Sequence, residues 1–276
     1  MLYGKEVRLG RILSRKSGRA VIATIDHGIH VGVLPGLEAT EEAIEHMVEG
    51  KPDGLMVNPG LAKKCHKSFV GRDAPALVLR IDWISGMRKV LPHERPRTKP
   101  IARVEDGVKM GADAVCAFFL SSTDGEVEAS NFEYVGKIVS DCEEWGMPLI
   151  IEAFPLGKGV TKENEIDPET LKLPIRMCAE VGADLIKTKY TGDVDSFRNI
   201  VKSSPVPLLA LGGPKMATTK DALEVAKGAI EAGAAGVVFG RNIWQHENPQ
   251  GVIKALKMIV HENATVEEAL KEMRMR

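Results

Sequence analysis

Two lysines two residues apart dominate the chemistry this sequence offers. They lie in Ala183-Asp184-Leu185-Ile186-Lys187-Thr188-Lys189-Tyr190-Thr191-Gly192-Asp193, which opens as an apolar strand. Residues i and i+2 of a strand point the same way, so if Leu185 faces a barrel interior, Lys187 and Lys189 do too. Their ammonium groups would then stand about 6–7 Å apart, at ~3.3 Å rise per residue, and repel each other. Partial desolvation beside a second cation lowers a lysine pKa and makes its amine a nucleophile for carbonyl carbon. The alternative is that both side chains bend out to solvent at the strand end.

Two other places carry groups of the same kind. Asp26-His27-Gly28 ends the run Ala20-Val21-Ile22-Ala23-Thr24-Ile25, apolar apart from Thr24. A carboxylate there has to be hydrogen-bonded or paired. Asp26 reads as a proton carrier or as counter-ion to a lysine across a barrel, with a turn or N-cap role as the plainer alternative. His27 and His30 are too few for a metal site and read as polar loop residues. Leu211-Gly212-Gly213-Pro214-Lys215 and Phe239-Gly240-Arg241-Asn242-Ile243 are two glycine turns after successive strands. Glycine lets backbone N–H groups approach an anion, and a short helix beginning near Asn242 would add its N-terminus. Arg241 could close such a site with a bidentate contact. Barrels often hold phosphate at this location. Two ordinary tight turns with a surface arginine remain possible.

One unit recurs along the chain. A helix-like stretch ends at glycine, a short turn follows, and an apolar strand comes next. Gly111-Ala112-Asp113 leads into residues 114–119, Gly146-Met147-Pro148 into 149–151, Gly182-Ala183-Asp184 into 185–186, and Gly233-Ala234-Ala235 into 236–239. With strands at 20–25, 54–57, 76–81 and 206–211 the total is eight. Helix-like segments fall at 5–13, 41–48, 102–110, 129–144, 194–202, 218–232 and 249–262. Thr218-Thr219-Lys220-Asp221 resembles a capping start. Pro174 fits a first-turn position better than a helix interior. Eight such units predict an α/β fold, a (β/α)8 TIM barrel spanning 1–276 as a single domain, with short helical extensions at both ends. An open doubly wound sheet would need a Gly-rich nucleotide loop after the first strand, and Asp26-His27-Gly28 is not one. In a barrel, function sits at the C-terminal strand ends. These carry Asp26 and His27, Asn58, the trio Arg80, Asp82 and Trp83, the pair Glu152 and Phe154, Lys187 with Lys189 and Tyr190, and the two glycine turns.

The 276 residues and 44% apolar content suffice for one such core. Lys and Arg number 37 against 38 Asp and Glu, which gives no general attraction to nucleic acid or a membrane surface. The four cysteines are widely spaced and read as free thiols of a reducing compartment. The polar N-terminus, with Lys5, Arg8 and Arg11, and the lack of an apolar run of ~18–20 residues make a cytoplasmic protein the expectation.

At Asp26-His27-Gly28, at residues 187–193, at Gly212-Gly213-Pro214-Lys215 and at Gly240-Arg241-Asn242, the chain resembles the archaeal-type class I fructose-bisphosphate aldolases. That family also includes aminodideoxyheptulosonate synthase and the autoinducer-2 thiolase. The likeness runs from about residue 20 to 260, with four motifs in the same order. It implies covalent imine chemistry with no metal or cofactor. It also implies Lys187 as the Schiff-base lysine, Asp26 as the strand-one carboxylate, and Gly212, Gly213, Gly240 and Arg241 around a phosphate, with His27 beside the substrate. Family members commonly form decamers, which implies a homo-oligomer. One position departs from the pattern. The family's aldolases carry an acid/base tyrosine on the fifth strand ahead of Pro-x-Gly, and here the segment is Phe154-Pro155-Leu156-Gly157. Glu152, two residues earlier on the same face, is the first substitute, followed by Asp26 and Tyr190. Lys189 would depress the Lys187 pKa or bind substrate.

The resulting expectation is a class I aldolase or lyase acting on a phosphorylated ketose, with fructose 1,6-bisphosphate cleavage first. A transaldol or acyl-transfer member of the family is the alternative, and a non-catalytic sugar-phosphate-binding barrel a further one.

Overall fold

Apolar runs of four to eight residues, each fed by a short turn, make strands buried on both faces. The computed structural model describes residues 3–274 except residues 89, 94, 95, 158 and 163. Its strands in chain order are β1 (Ala20–Thr24), β2 (Gly54–Val57), β3 (Ala76–Arg80), β4 (Asp82–Ile84), β5 (Thr98–Pro100), β6 (Ala114–Ser121), β7 (Leu149–Pro155), β8 (Leu185–Lys189), β9 (Leu208–Leu211) and β10 (Gly236–Phe239). All except β4 and β5 close a parallel barrel, in the order β1-β2-β3-β6-β7-β8-β9-β10 and back to β1. The chain is a (β/α)8 TIM barrel. β4 and β5 form an antiparallel hairpin inserted after the third barrel strand, with Trp83 opposite Lys99.

The helices are α1 (Tyr3–Ile12), α2 (Gly28–Val31), α3 (Thr40–Glu49), α4 (Pro59–Lys64), α5 (Val104–Lys109), α6 (Gly125–Trp145), α7 (Pro168–Val181), α8 (Val194–Ser203), α9 (Thr219–Glu231), α10 (Arg241–Trp244), α11 (Pro249–Glu262) and α12 (Val266–Arg274). The helical extensions are present as expected. α1 closes the bottom of the barrel, with Lys5 paired to Glu143 and Asp184, and α12 packs on α11 and α9. Among the described residues no helix is long and apolar enough to cross a membrane.

Strand pleating splits the core in two. Ala20, Ile22, Met56, Val78, Cys116, Ile150, Leu185, Leu209 and Val238 fill the barrel interior together with Ile12 of α1. The alternate residues pack outward on the helices. Cys116, Cys142 and Cys178 are buried free thiols, and Cys65 is free and half-buried.

One expectation needs correction. Pro174 lies inside α7, buried, and is not a first-turn residue. The helix starts six residues earlier, where Asp167 caps it by accepting from Thr170 N–H and Pro168 takes the first-turn place. The ring at position 174 has no N–H, so the Thr170 carbonyl loses its helical donor. Burial of the apolar ring is what the chain gains there.

Candidate active site

The same period of two that packs the barrel floor sets the next layer up. Past Ile22 comes Thr24, past Val78 comes Arg80, past Cys116 comes Phe118, past Ile150 comes Glu152, and past Leu185 comes Lys187. Five polar or aromatic side chains are thereby aimed into the barrel mouth. Register then fixes who meets whom: Phe118 lies beside Glu152, and Glu152 beside Lys187.

Lys187 is 5% exposed and does not bend out to solvent. Its Nζ lies 2.9 Å from Glu152 Oε2. The same carboxylate oxygen accepts from Arg80 Nη2. Arg80 is fully buried. Its Nε donates to Asp26 Oδ2 at 2.9 Å, its Nη1 stands 3.5 Å from Asp82 Oδ1, and its guanidinium lies 3.9 Å over the Phe118 ring. One arginine therefore gathers three carboxylates from three strand ends, and Lys187 shares one of them. The planar fork suits this task, since a lysine offers a single point of charge.

The charges settle accordingly. Burial pushes the Asp26 carboxyl up, but the Arg80 guanidinium and then the Lys187 ammonium outweigh it and hold Asp26 far below the carboxylate range. Glu152 shows the same balance, with Lys187 ahead of Arg80, and its pKa also ends lowered. Asp82 is raised by burial to about 7 despite Arg80 and the Phe118 N–H it accepts. Asp26 is further fixed by the Thr24 hydroxyl, and Asn58 Nδ2 donates to its carbonyl at 3.0 Å.

The two glycine turns close the opposite wall, where Gly212, Gly213, Gly240 and Arg241 line the cavity that holds Lys187, Glu152, Asp26, His27 and His30. Each glycine also has a local reason. Gly213 has φ +66°, and a Cβ on Gly240 would stand 2.5 Å from His27 Cε1 and 2.8 Å from the Thr24 carbonyl. Asn242, which is 2% exposed, staples the turns. Its Nδ2 donates to the Gly212 and Pro214 carbonyls at 2.9 and 3.0 Å, and its Oδ1 accepts from Met216 N–H at 2.8 Å. Burial lowers the Arg241 pKa, and its Nε has no partner among the described residues.

Two residues sit elsewhere than the sequence suggests. Tyr190 is not in the site. It follows the last residue of β8, so the pleat turns it outward, where its ring packs on Phe197 of α8 at 5.2 Å and its hydroxyl fills the space beside Gly228 of α9. Lys189 shares the inward face with Lys187, but at the rim. It pairs with Glu165 and lies 5.9 Å over the Phe154 ring. The cation that shares a carboxylate with Lys187 is Arg80. Phe154 is buried with Phe118, Leu120 and Ile84 in an apolar cluster at the mouth.

Sequence reasoning placed Arg80 at a strand end and gave it no role. The signal was there: a charge in Ala76-Leu77-Val78-Leu79-Arg80-Ile81, at the same parity as inward Ala76 and Val78. His30, a loop residue by its sequence, is 4% exposed and lines the cavity. Its place depends on the β4–β5 hairpin, which a reading of eight units does not contain. Among the described residues no group of three or more His, Cys, Asp or Glu is placed to hold a metal ion.

Both histidines should mark the stability of the fold in acid. Burial outweighs the Asp26 charge and takes each from 6.5 down to about 4. The unfolded chain thus takes up a proton at each ring before the folded chain does. The stability each neutral ring contributes is present above pH 6.5 and is lost as pH falls toward 4, by about 3 kcal/mol per ring. Asp82 works in the opposite sense, because its raised pKa favours the folded state as pH falls below 7. The ring contribution is therefore read as a difference. Between pH 7 and 4, wild type is expected to lose about 3 kcal/mol more unfolding free energy than His30→Gln, measured by denaturant titration at each pH.

Comparison with known proteins bears on this site directly. The family model for DeoC/LacD family aldolases matches residues 20–246. An uncharacterised aldolase of Saccharolobus solfataricus is 35% identical over 277 residues, which cover 98% of this chain and 99% of that protein. The 2-amino-3,7-dideoxy-D-threo-hept-6-ulosonate synthase of Halobacterium salinarum is 32% identical over 267 residues, covering 97% and 95%. Among solved structures, an archaeal fructose-1,6-bisphosphate aldolase with its catalytic Lys covalently bound to the carbinolamine intermediate of the substrate superposes with a TM-score of 0.81 at 30% identity, covering 94% and 99%. With all eight barrel strands inside the stretch that the family model matches and nearly its whole length matched by these relatives, the chain belongs to the DeoC/LacD aldolase family and is an enzyme of the carbon–carbon lyase type.

Proposed function

We propose that the protein is a Schiff-base aldolase for a phosphorylated ketose, with fructose 1,6-bisphosphate as the first substrate. The observation that carries this reading is Lys187, buried in the barrel mouth, 2.9 Å from Glu152 and in the same cavity as the paired glycine turns. Lys187 attacks the substrate ketone after handing its ammonium proton to Glu152, the nearest acceptor. Protonated Glu152 then gives that proton to the carbinolamine hydroxyl, which leaves as water; the iminium that results keeps a positive charge beside Arg80 and the regenerated Glu152 carboxylate. The iminium is then the electron sink for cleavage of the carbon–carbon bond. Gly212, Gly213, Gly240 and Arg241 hold the phosphate, with His27 at the same wall. Asp26, ionised and fixed by Arg80 and Thr24, orients the hydroxyl groups near the lysine. Lys189 guards the rim and meets substrate there.

Glu152 takes the proton work that a tyrosine at position 154 would do. Glu152→Gln keeps the shape and removes the proton acceptor. Its turnover is expected to fall about 10²–10⁴-fold, while substrate binding measured by protection against heat changes little. Incubation with fructose 1,6-bisphosphate, followed by chromatography of the products, tests the reaction itself. Two triose phosphates are the expected result, and unaltered sugar after long incubation would remove the proposal in favour of a binding barrel.

A second reading has its own support: the aromatic Phe154 in place of an acid, and the 32% identity to a heptulosonate synthase. In a transaldol synthase the enamine left after cleavage is captured by a second carbonyl compound and not by a proton. Release of a single triose phosphate, with the other half retained on Lys187 until an acceptor aldehyde is added, would mark that course. Assembly into a homo-oligomer is also part of the proposal. Tyr3, Val7 and Trp145 are exposed at the bottom of the barrel, where α1 meets Gly146, and light scattering measures the subunit number.

A further inference from the structure

His30 is a buried histidine that lines the cavity, with Nδ1 used by a backbone N–H and Nε2 without a partner among the described residues. The Ile84 N–H of the hairpin points at its Nδ1, 3.3 Å away. An amide N–H can only donate, so Nδ1 is the acceptor, and in the neutral ring the proton sits on Nε2. The ring stands edge-on to Phe118, with centroids 5.2 Å apart, and α2 and the hairpin hold it from both sides through the Trp83 Nε1–H bond to the Ile29 carbonyl at 3.0 Å. Nε2 is buried and has no partner among the described residues. A buried donor left unmade is costly, and the ring that carries it belongs to the lining of the cavity that holds Lys187, Glu152 and Arg241. The charged and titratable groups that face it are Asp26, Arg80, Glu152 and His27.

We infer that His30 is a catalytic residue that donates its Nε2–H to the substrate oxygen on the carbon where the chain is cut, so that this oxygen lies between a donor on one wall and Glu152 on the other. The inference rests on the imine reading above. In the cleavage step the hydroxyl proton passes to the Glu152 carboxylate. The C–O bond becomes C=O, the carbon–carbon bond breaks, and its electron pair moves into the iminium of Lys187 to give an enamine. His30 keeps its proton and stabilises the oxygen while negative charge builds on it. The hydrogen bond that a tyrosine would give from the fifth strand is thus supplied from the first.

Two variants separate this role from support of the hairpin. His30→Asn keeps an acceptor near Nδ1 for Ile84 N–H but is too short to donate at the Nε2 position. His30→Gln carries an N–H to that position. With fructose 1,6-bisphosphate, or dihydroxyacetone phosphate plus glyceraldehyde, His30→Asn is expected to lose about 10²-fold in kcat. Borohydride trapping of dihydroxyacetone phosphate on its Lys187 should continue at the wild-type level, and His30→Gln should recover at least tenfold over His30→Asn. ¹⁵N spectra of the wild type should show the Nε2-protonated tautomer from pH 8 to 5. Wild-type turnover in His30→Asn, trapping lost together with turnover in both variants, or a proton on Nδ1 would each overturn the role. Absence of trapping in the wild type would instead remove the imine reading on which it depends.

Discussion

Lys187→Met is expected to abolish turnover, by at least about 10⁴-fold, while leaving the protein folded. The nucleophile is gone, and among the described residues nothing near it can replace it. Arg80 is a guanidinium, and Lys189 is held at the rim by Glu165. Stability changes little by comparison because Glu152 keeps its contact with Arg80 when the ammonium leaves. The loss of one of two cations beside a buried carboxylate should raise the Glu152 pKa, since Lys187 is the stronger of its two stabilising charges. A steady-state assay paired with a denaturant titration checks both halves. A variant that unfolds as readily as it loses activity would mean that Lys187 is chiefly structural.

Arg80→Met is expected to cost the fold too, destabilising the protein as well as silencing it. It would leave Asp26, Asp82 and Glu152 buried around an apolar chain, with Lys187 as the remaining cation of the cluster. Breaking a buried ion pair by removing one partner costs on the order of 3–5 kcal/mol, and here one side chain serves three carboxylates. Part of that cost is relieved at low pH, where the carboxylates take up protons. The deficit of Arg80→Met relative to wild type should therefore shrink from pH 7 to pH 4. Arg80→Lys should recover only part of the loss, because an ammonium cannot span three acceptors set at the ends of separate strands. Urea unfolding of the three proteins at several pH values is the measurement. Equal stability of Arg80→Met and wild type would show that the arginine does not hold the site together.

Much of this was legible in the chain, and for a physical reason. Strands buried on both faces leave continuous apolar runs, and glycine caps mark where each is fed, so the eight barrel strands could be counted without contacts. β2 and β10 fall where the sequence put them. The parity rule carried Lys187 inward because Leu185 is two residues earlier on the same strand. The same rule, pushed one residue further, should have turned Tyr190 outward, and the structure does so. What the chain hid is long-range. The β4–β5 hairpin is three residues on each side, too short to show a period, and together with Phe118 it makes His30 a fixed ring and not a loose loop residue. Arg80 looked like a strand-end charge because its three partners come from positions 26, 82 and 152, which only barrel closure brings together. Pro174 reads as a first-turn residue because a proline in a helix interior is costly in isolation, whereas here its ring is buried.

The most direct measurement is mass-spectrometric mapping of the protein after borohydride reduction in the presence of dihydroxyacetone phosphate. A reduced imine is a secondary amine and survives digestion, so the modified residue can be read from the peptide. The expected result is one adduct per chain, on Lys187, formed only when both reagents are present and absent from Lys187→Met. An adduct on Lys189 or another lysine, or a protein that turns over substrate without acquiring any adduct, would contradict imine catalysis by Lys187.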